Sequence, residues 1–137
     1  MAAIEADCRI SHLSERDTMV KKDVAIKRLL DDGLSDWITL HRVVWRVTRG
    51  SRTDEAKRLT LEVLRELFEQ GWMVPGDLGE SGFEDWTLPI GDWLVRAEQQ
   101  LESLGWNPMG DGLWLRLTEA GDAIAEANRA GKNRRRE

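Results

Sequence analysis

The side chains best suited to catalysis are few, and they are not spaced for it. The sequence contains one cysteine, Cys8, and two histidines, His12 and His41. Thiol and imidazole groups act as nucleophiles, bases or metal ligands when they meet in suitable pairs, and none of these three lies at the spacing of such a pair. We therefore predict no catalytic residues and no cofactor, and we expect a protein that is not an enzyme.

A cluster of carboxylates offers a second kind of chemistry. Asp77, Glu80, Glu84 and Asp85 lie close together, but their spacing lacks the alternate-residue pattern of a calcium-binding loop. The glycines of the same stretch are not followed by the lysine of a phosphate-binding loop. We therefore predict no metal site here, and the acids need another explanation.

The charges are distributed unevenly along the chain. The net charge of −5 comes from 20 basic and 25 acidic residues. Residues 21–58 carry +4, residues 59–102 carry −8 and residues 129–137 carry +4. The field of the acidic middle attracts basic protein surfaces and repels phosphate.

Length and composition narrow the class of protein. The chain has 137 residues, of which 41% are hydrophobic, enough for the core of one domain. A single cysteine excludes an internal disulfide and suits a reducing compartment. No apolar run approaches the roughly 18 residues of a membrane span, and the N-terminus does not follow the signal-peptide pattern. We expect a cytoplasmic protein that does not bind membranes.

Apolar spacing predicts five helices and two short strands. The third helix is the clearest, because Thr53 can cap its start and Gly71 can end it. The other helices are predicted at residues 20–32, 37–49, 89–104 and from Thr118 to about Gly131, and the strands at residues 72–74 and 113–117. Pro75 and Gly76 are typical of a turn, and the acid-rich residues 76–85 are predicted to be a loop.

These elements place one domain at residues 19–130, between two segments without a clear pattern of their own. Residues 1–18 show no sustained period and are predicted to be a mobile leader. Residues 131–137 are predicted to be a solvated basic tail.

Two passages resemble the winged helix-turn-helix superfamily. In residues 114–121 a strand leads through Leu117 and Thr118 into a helix that carries Gly121, and in residues 67–74 a helix ends and a strand begins. The resemblance covers about residues 20–130. It implies a mainly α fold with a small β-hairpin, in which an extra helix is inserted between the two wing strands.

The resemblance also implies a candidate DNA-binding face. In DNA-binding members the third helix enters the major groove, and that role would fall here on Arg49, Arg52, Lys57 and Arg58. Three glutamates farther along the helix and the acidic wing would oppose it, because they would approach phosphates. An alternative interpretation is that these basic residues lie at the solvated start of a helix and form ion pairs with neighbouring carboxylates.

The seven tryptophans divide into two groups by their surroundings. Trp37, Trp45, Trp93 and Trp114 lie on or beside apolar stripes and are predicted to be core residues. Trp86 and Trp106 lie in polar loop sequence, where an indole either pins the loop onto the domain or anchors a partner.

Two functional hypotheses follow. The first is a small non-enzymatic module whose acidic, Trp-containing insertion binds a basic protein, in the manner of an immunity or inhibitor protein. The residues assigned to that contact are Asp77, Glu80, Phe83, Glu84, Asp85, Trp86 and Trp106. The alternative is a winged-helix DNA-binding transcriptional regulator that uses Arg49, Arg52, Lys57 and Arg58, with the fourth helix available to form a homodimer.

Overall fold

The chain folds into helices packed on one antiparallel sheet. The computed structural model describes the backbone of residues 2–136 and the side chains of residues 19–131, and the elements below are those of that range. The helices are α1 (Ala2–Ser35), α2 (Leu40–Thr48), α3 (Asp54–Glu69), α4 (Ile90–Ser103) and α5 (Glu119–Arg136). The strands are β1 (Ile38–Thr39), β2 (Met73–Gly79), β3 (Gly82–Asp85) and β4 (Trp114–Leu117). The predicted mixture of mainly helix with a small antiparallel sheet is thus confirmed.

Helix α3 begins and ends where its local sequence predicts. Thr53 Oγ1 accepts a hydrogen bond from the backbone N–H of Ala56, which satisfies one free donor of the first turn. Gly71 follows the helix with a φ of 69°, and the N–H groups of Gly71 and Trp72 turn back onto Phe68 and Leu67. These two backbone hydrogen bonds form a Schellman cap. The cap requires the left-handed conformation, which glycine adopts easily.

The first two helices differ from prediction. Helix α1 begins at Ala2 rather than near residue 20, so the predicted leader is the first part of a helix. The second helix begins at Leu40 rather than near residue 37, because Ile38 and Thr39 form β1 and pair with β4. Thr39 then caps α2 through a hydrogen bond from Arg42 N to its Oγ1. Helix α5 likewise continues to Arg136, through most of the predicted tail.

Thr118 and Gly121 join β4, β2 and α5. Thr118 Oγ1 accepts a hydrogen bond from Gly121 N, which caps α5, and Thr118 N donates to the carbonyl of Trp72. A Cβ at Gly121 would overlap that same carbonyl oxygen. The helix can therefore approach the start of β2 this closely only with glycine at this position.

The sheet contains more strand than the sequence predicted. Its order is β1–β4–β2–β3, and every neighbouring pair is antiparallel. Residues 76–85 are therefore not a loop: β2 runs through Pro75 and Gly76 to Gly79 and turns into β3. Helix α4 lies in the chain between β3 and β4, and β4 returns to pair with β2 on the side away from β3.

One face of the sheet covers the core and the other faces outward. The inward side chains Ile38, Met73 and Leu115 are buried against apolar residues of α1, α3 and α4 such as Leu29 and Leu64. The outward face carries residues such as Trp114 and Arg116, which are half-buried. No helix among the described residues combines the length and the apolar character that crossing a membrane requires.

Candidate interaction surfaces

The β2–β3 hairpin extends with both of its faces accessible. Gly79 stands opposite Gly82 and Asp77 opposite Glu84, so that Glu80 and Ser81 form the connection. Alternation along the strands directs Asp77 and Glu84 to one face and Leu78 and Phe83 to the other. We call residues 77–85, together with Trp37, the hairpin surface.

Three carboxylates lie near the tip of this hairpin. Asp77, Glu80 and Glu84 are all exposed. Asp77 and Glu84 face each other across the ladder, an arrangement in which like charges repel. Asp77 has one favourable contact there, since its Oδ2 accepts a hydrogen bond from Trp86 Nε1 at 3.1 Å.

Asp85 differs from the other acids because it is paired. Arg116 on β4 donates to both of its carboxylate oxygens, at 2.8 and 2.7 Å. The hydrogen bonds from the guanidinium lower the pKa of Asp85, and the same contact raises the pKa of Arg116. Asp85 therefore fastens β3 across β2 to β4 and is less available to a partner than the sequence suggested.

The other face of the hairpin carries apolar side chains beside the Asp85–Arg116 pair, and the Arg116 guanidinium carbon lies 5.9 Å from the Phe83 ring centroid. The rings of Phe83 and Trp37 lie 5.5 Å apart at a tilt of 54°, and Leu78 stands opposite Phe83. Trp37 and Leu78 are 42% and 45% exposed. Gly76 lies beneath Phe83, where a Cβ would overlap the phenyl ring. The result is an exposed aromatic face backed by a hairpin that carries acids on its other side.

Trp86 is buried, which corrects its assignment as a partner contact. It keeps 7% of its surface and donates its backbone N–H to the carbonyl of Pro75 and its indole N–H to Asp77. The Arg96 guanidinium lies 4.4 Å from its ring centroid. Of the two roles that the sequence left open, the geometry corresponds to pinning the end of β3 onto the domain.

Trp106 is also buried, and it lies away from the hairpin. It is 7% exposed, its φ is 60°, and its N–H bonds back to Leu101 in the cap that ends α4. Its indole donates to Glu102 Oε1, while Lys57 Nζ lies 5.5 Å from its ring centroid. The residue predicted to contact a basic partner thus contacts a lysine of the predicted DNA-binding cluster.

Trp37 and Trp45 are more exposed than predicted. Both were expected in the core, yet they are 42% and 47% exposed. Trp37 lies just before β1, outside the helix whose spacing placed it inside. The adjacent pair Ile38–Thr39 is a β-branched signal that could have indicated a strand here. Trp93 meets its prediction in part: it is half-buried, but it packs edge-on against Phe68 of the core and donates to the carbonyl of Leu88.

The predicted DNA-binding residues gather where α2 turns into α3. Arg49, Arg52 and Arg58 are exposed and Lys57 is half-buried. Arg49 ends α2 in the left-handed conformation, with a φ of 53°, and its guanidinium carbon lies 5.9 Å from the Trp45 ring centroid. We call these four residues and Trp45 the basic corner.

Among the described residues, no three His, Cys, Asp or Glu side chains approach closely enough to hold a metal ion. Comparison of the chain with known protein families, with characterised proteins and with solved structures finds no match. The features of this chain that bear on function are therefore the hairpin surface and the basic corner.

Proposed function

We propose that this chain is a non-enzymatic binding module in which the β2–β3 hairpin inserts into a basic cleft of another protein, as an inhibitor or immunity protein does. The fold we propose for it is winged-helix-like. In support, β2 and β4 pair as two wing strands would, with α4 between them in the chain.

The opposed carboxylates of Asp77 and Glu84 carry this proposal. Like charges directly across a ladder cost stability, and although Asp77 accepts the hydrogen bond of the buried Trp86 indole, the fold shows no corresponding contact that calls for an acid at Glu84 among the described residues. Glu80 adds a third exposed acid at the tip. A basic surface that covers these acids would offset the repulsion among their charges. Binding would therefore relieve a repulsion that remains in the free protein.

The aromatic face supplies the short-range part of the contact. Half-exposed aromatic and aliphatic side chains such as Trp37, Phe83 and Leu78 are the residue types that anchor protein interfaces. A hairpin with free acids on one face and apolar groups beside a paired aspartate on the other fits a concave partner that contacts both faces. The charge of −8 over residues 59–102 would steer a basic protein toward it.

Site-specific photo-crosslinking tests the proposal. A photoreactive residue is placed at Leu78 on the hairpin and, separately, at the exposed Gln99 on α4, and each protein is illuminated in an extract of the cells that make it. We expect a basic protein to be captured at Leu78 and not at Gln99. Capture at both positions, or at neither, contradicts the proposal.

Charge reversal then tests the role of the acids with the captured protein. The double variant Glu80→Lys, Glu84→Lys should bind it at least about tenfold more weakly, and the loss should shrink at high salt. The matched control is Glu69→Lys, Glu98→Lys, which changes the net charge equally at exposed positions on α3 and α4. Equal losses in the two double variants would show a nonspecific charge effect and reject the hairpin as the contact.

The exposed arginines of the basic corner favour a second candidate function, DNA binding. Arg49, Arg52 and Arg58 are free of carboxylate contacts among the described residues. Fluorescence polarisation with a mixed-sequence duplex should then show binding that weakens steeply with salt and is lost in Arg52→Glu, Arg58→Glu. Absence of binding at low salt excludes this candidate.

A further inference from the structure

A cavity of about 280 Å³ opens beside the basic corner, between α2, the turn that follows it and the end of α4. Two indoles wall it: Trp45, which is half-exposed, and Trp106, which is buried. Arg52, His41, Ser51 and Asn107 supply polar groups along the rim and walls. None of the described residues that line the cavity is acidic.

The aromatic walls are held in a positive field. The Arg49 guanidinium lies 5.9 Å from the Trp45 ring centroid, and Lys57 Nζ lies 5.5 Å from that of Trp106. Arg52 adds a third cation at the opening. Glu102 is in contact with one of the walls, where its Oε1 accepts a hydrogen bond from the indole N–H of Trp106. Among the described residues, Arg52 is therefore the cation that lines the cavity, and Arg49 and Lys57 add positive charge at its indole walls.

One wall residue contains a polar atom that the fold leaves unsatisfied. His41 Nδ1 is shielded from solvent and has no hydrogen-bond partner. A buried polar atom without a partner costs free energy, so it is normally paired in a folded protein. Because the shielded Nδ1 is also out of reach of a ligand in a cavity that is open to solvent, the proposed binding depends on the indole walls and on Arg52 instead.

We propose that this cavity binds a small planar aromatic anion, that is, one aromatic ring system carrying a single carboxylate or phosphate. The ring stacks on Trp45, and the anionic group meets Arg52 with Ser51 and Asn107 as additional donors. Ligand pockets usually measure roughly 300–1,000 Å³, so this cavity suits a ligand of one or two rings. The proposal concerns a site separate from the hairpin surface and does not depend on the hairpin's function.

Isothermal titration of the full chain with paired probes tests the proposal. Indole-3-carboxylate and adenosine monophosphate represent the two anions, and indole and adenosine are their uncharged counterparts. We expect one charged probe to bind at least about tenfold more tightly than its uncharged counterpart, which identifies the anion as carboxylate or phosphate. If neither charged probe binds, or if charged and uncharged probes bind equally, the proposal is wrong.

Two variants locate the binding, and two matched variants control for them. Arg52→Gln and Trp45→Leu should each weaken binding of the better probe about tenfold or more. Arg65→Gln and Trp37→Leu remove an exposed arginine of α3 and a half-exposed tryptophan outside the cavity, and they should bind as the unmodified chain does. Equal effects in both pairs would mean binding elsewhere and would overturn the proposal. All four changes are at exposed positions, and circular dichroism verifies that each variant is folded.

Discussion

The hairpin surface and the basic corner are built in the same way and carry opposite charge. Each combines one half-exposed tryptophan with one buried tryptophan: Trp37 with Trp86 at the hairpin, and Trp45 with Trp106 at the corner. The buried indoles donate to carboxylates, Asp77 and Glu102 respectively. At each surface, a buried tryptophan that stabilises the fold thus lies close to an exposed tryptophan that a partner can contact.

The difference between the two surfaces lies in the charges around these indoles. At the hairpin, three exposed carboxylates surround the tip, and the one bidentate pair there consumes Asp85. At the corner, Arg49 and Lys57 lie over the rings and Arg52 is exposed beside them. Aromatic groups thus provide contact area at both sites, while the local charge decides what kind of partner each one can accept.

The largest expected effect separates the buried from the exposed tryptophans. Trp86→Ala and Trp106→Ala should each lower the free energy of unfolding by about 3–5 kcal/mol, because a large buried side chain and its hydrogen bond are lost. Trp37→Ala and Trp45→Ala should cost less than about 1.5 kcal/mol. Urea denaturation measures all four. Similar losses in the two pairs would contradict the division between structural and accessible indoles.

A smaller effect isolates the hairpin from the corner. Gly76→Ala places a Cβ against the Phe83 ring and the Glu84 carbonyl, so it should lower stability by about 1–3 kcal/mol. Gly91→Ala in α4 meets nothing within 4 Å and should raise stability by about 0.5–1 kcal/mol. Amide chemical shifts should change around Trp37 and Phe83 in the first variant, with the corner unaffected. Changes that spread to Trp45 would show that the two surfaces are coupled.

Removing one of the opposed hairpin acids should stabilise the protein. Glu84→Gln relieves its repulsion with Asp77 and should raise the free energy of unfolding by about 0.2–1 kcal/mol. The control, Glu98→Gln on the exposed side of α4, has no opposed acid across a strand and should be neutral. A loss of stability in Glu84→Gln would remove the argument that these acids are retained for binding.

The smallest effect concerns the pH dependence of the Asp85–Arg116 pair. Because the pKa of Asp85 is lowered in the folded chain, the pair stabilises the fold above the ordinary aspartate pKa and ceases to do so as the pH falls through the lowered value. Arg116→Gln should raise the pKa of Asp85 toward its ordinary value, at a cost below about 1 kcal/mol because solvent reaches 37% of the Arg116 side chain and 50% of that of Asp85 and screens the pair. Carboxyl-detected NMR titration measures the pKa directly. An unchanged pKa would mean that Arg116 is not its cause.

Local chemistry explains the parts of the fold that could be predicted. Thr53 and Gly71 delimit α3, and Thr118 begins α5, because caps depend on one side chain or one φ angle close in sequence. The hairpin was missed because Pro75 and Gly76 are typical of turns. Pro75 is tolerated in β2 because it stands beside Trp86, just after β3 ends, so its missing N–H interrupts little of that ladder.

The amino-acid sequence determined the fold class, the segregation of charge and the presence of two aromatic, charged segments, since these follow from composition and near-neighbour spacing. The tertiary structure decided which indoles are buried. Trp86 and Trp106 are buried although the sequence around them is polar and typical of loops. Trp37 and Trp45 are exposed although their spacing places them on an apolar stripe. Burial depends on contacts with distant parts of the chain. Examples are the pairing of β4 with β1 and the position of Lys57 of α3 beside Trp106. Helical spacing carries no information about those neighbours.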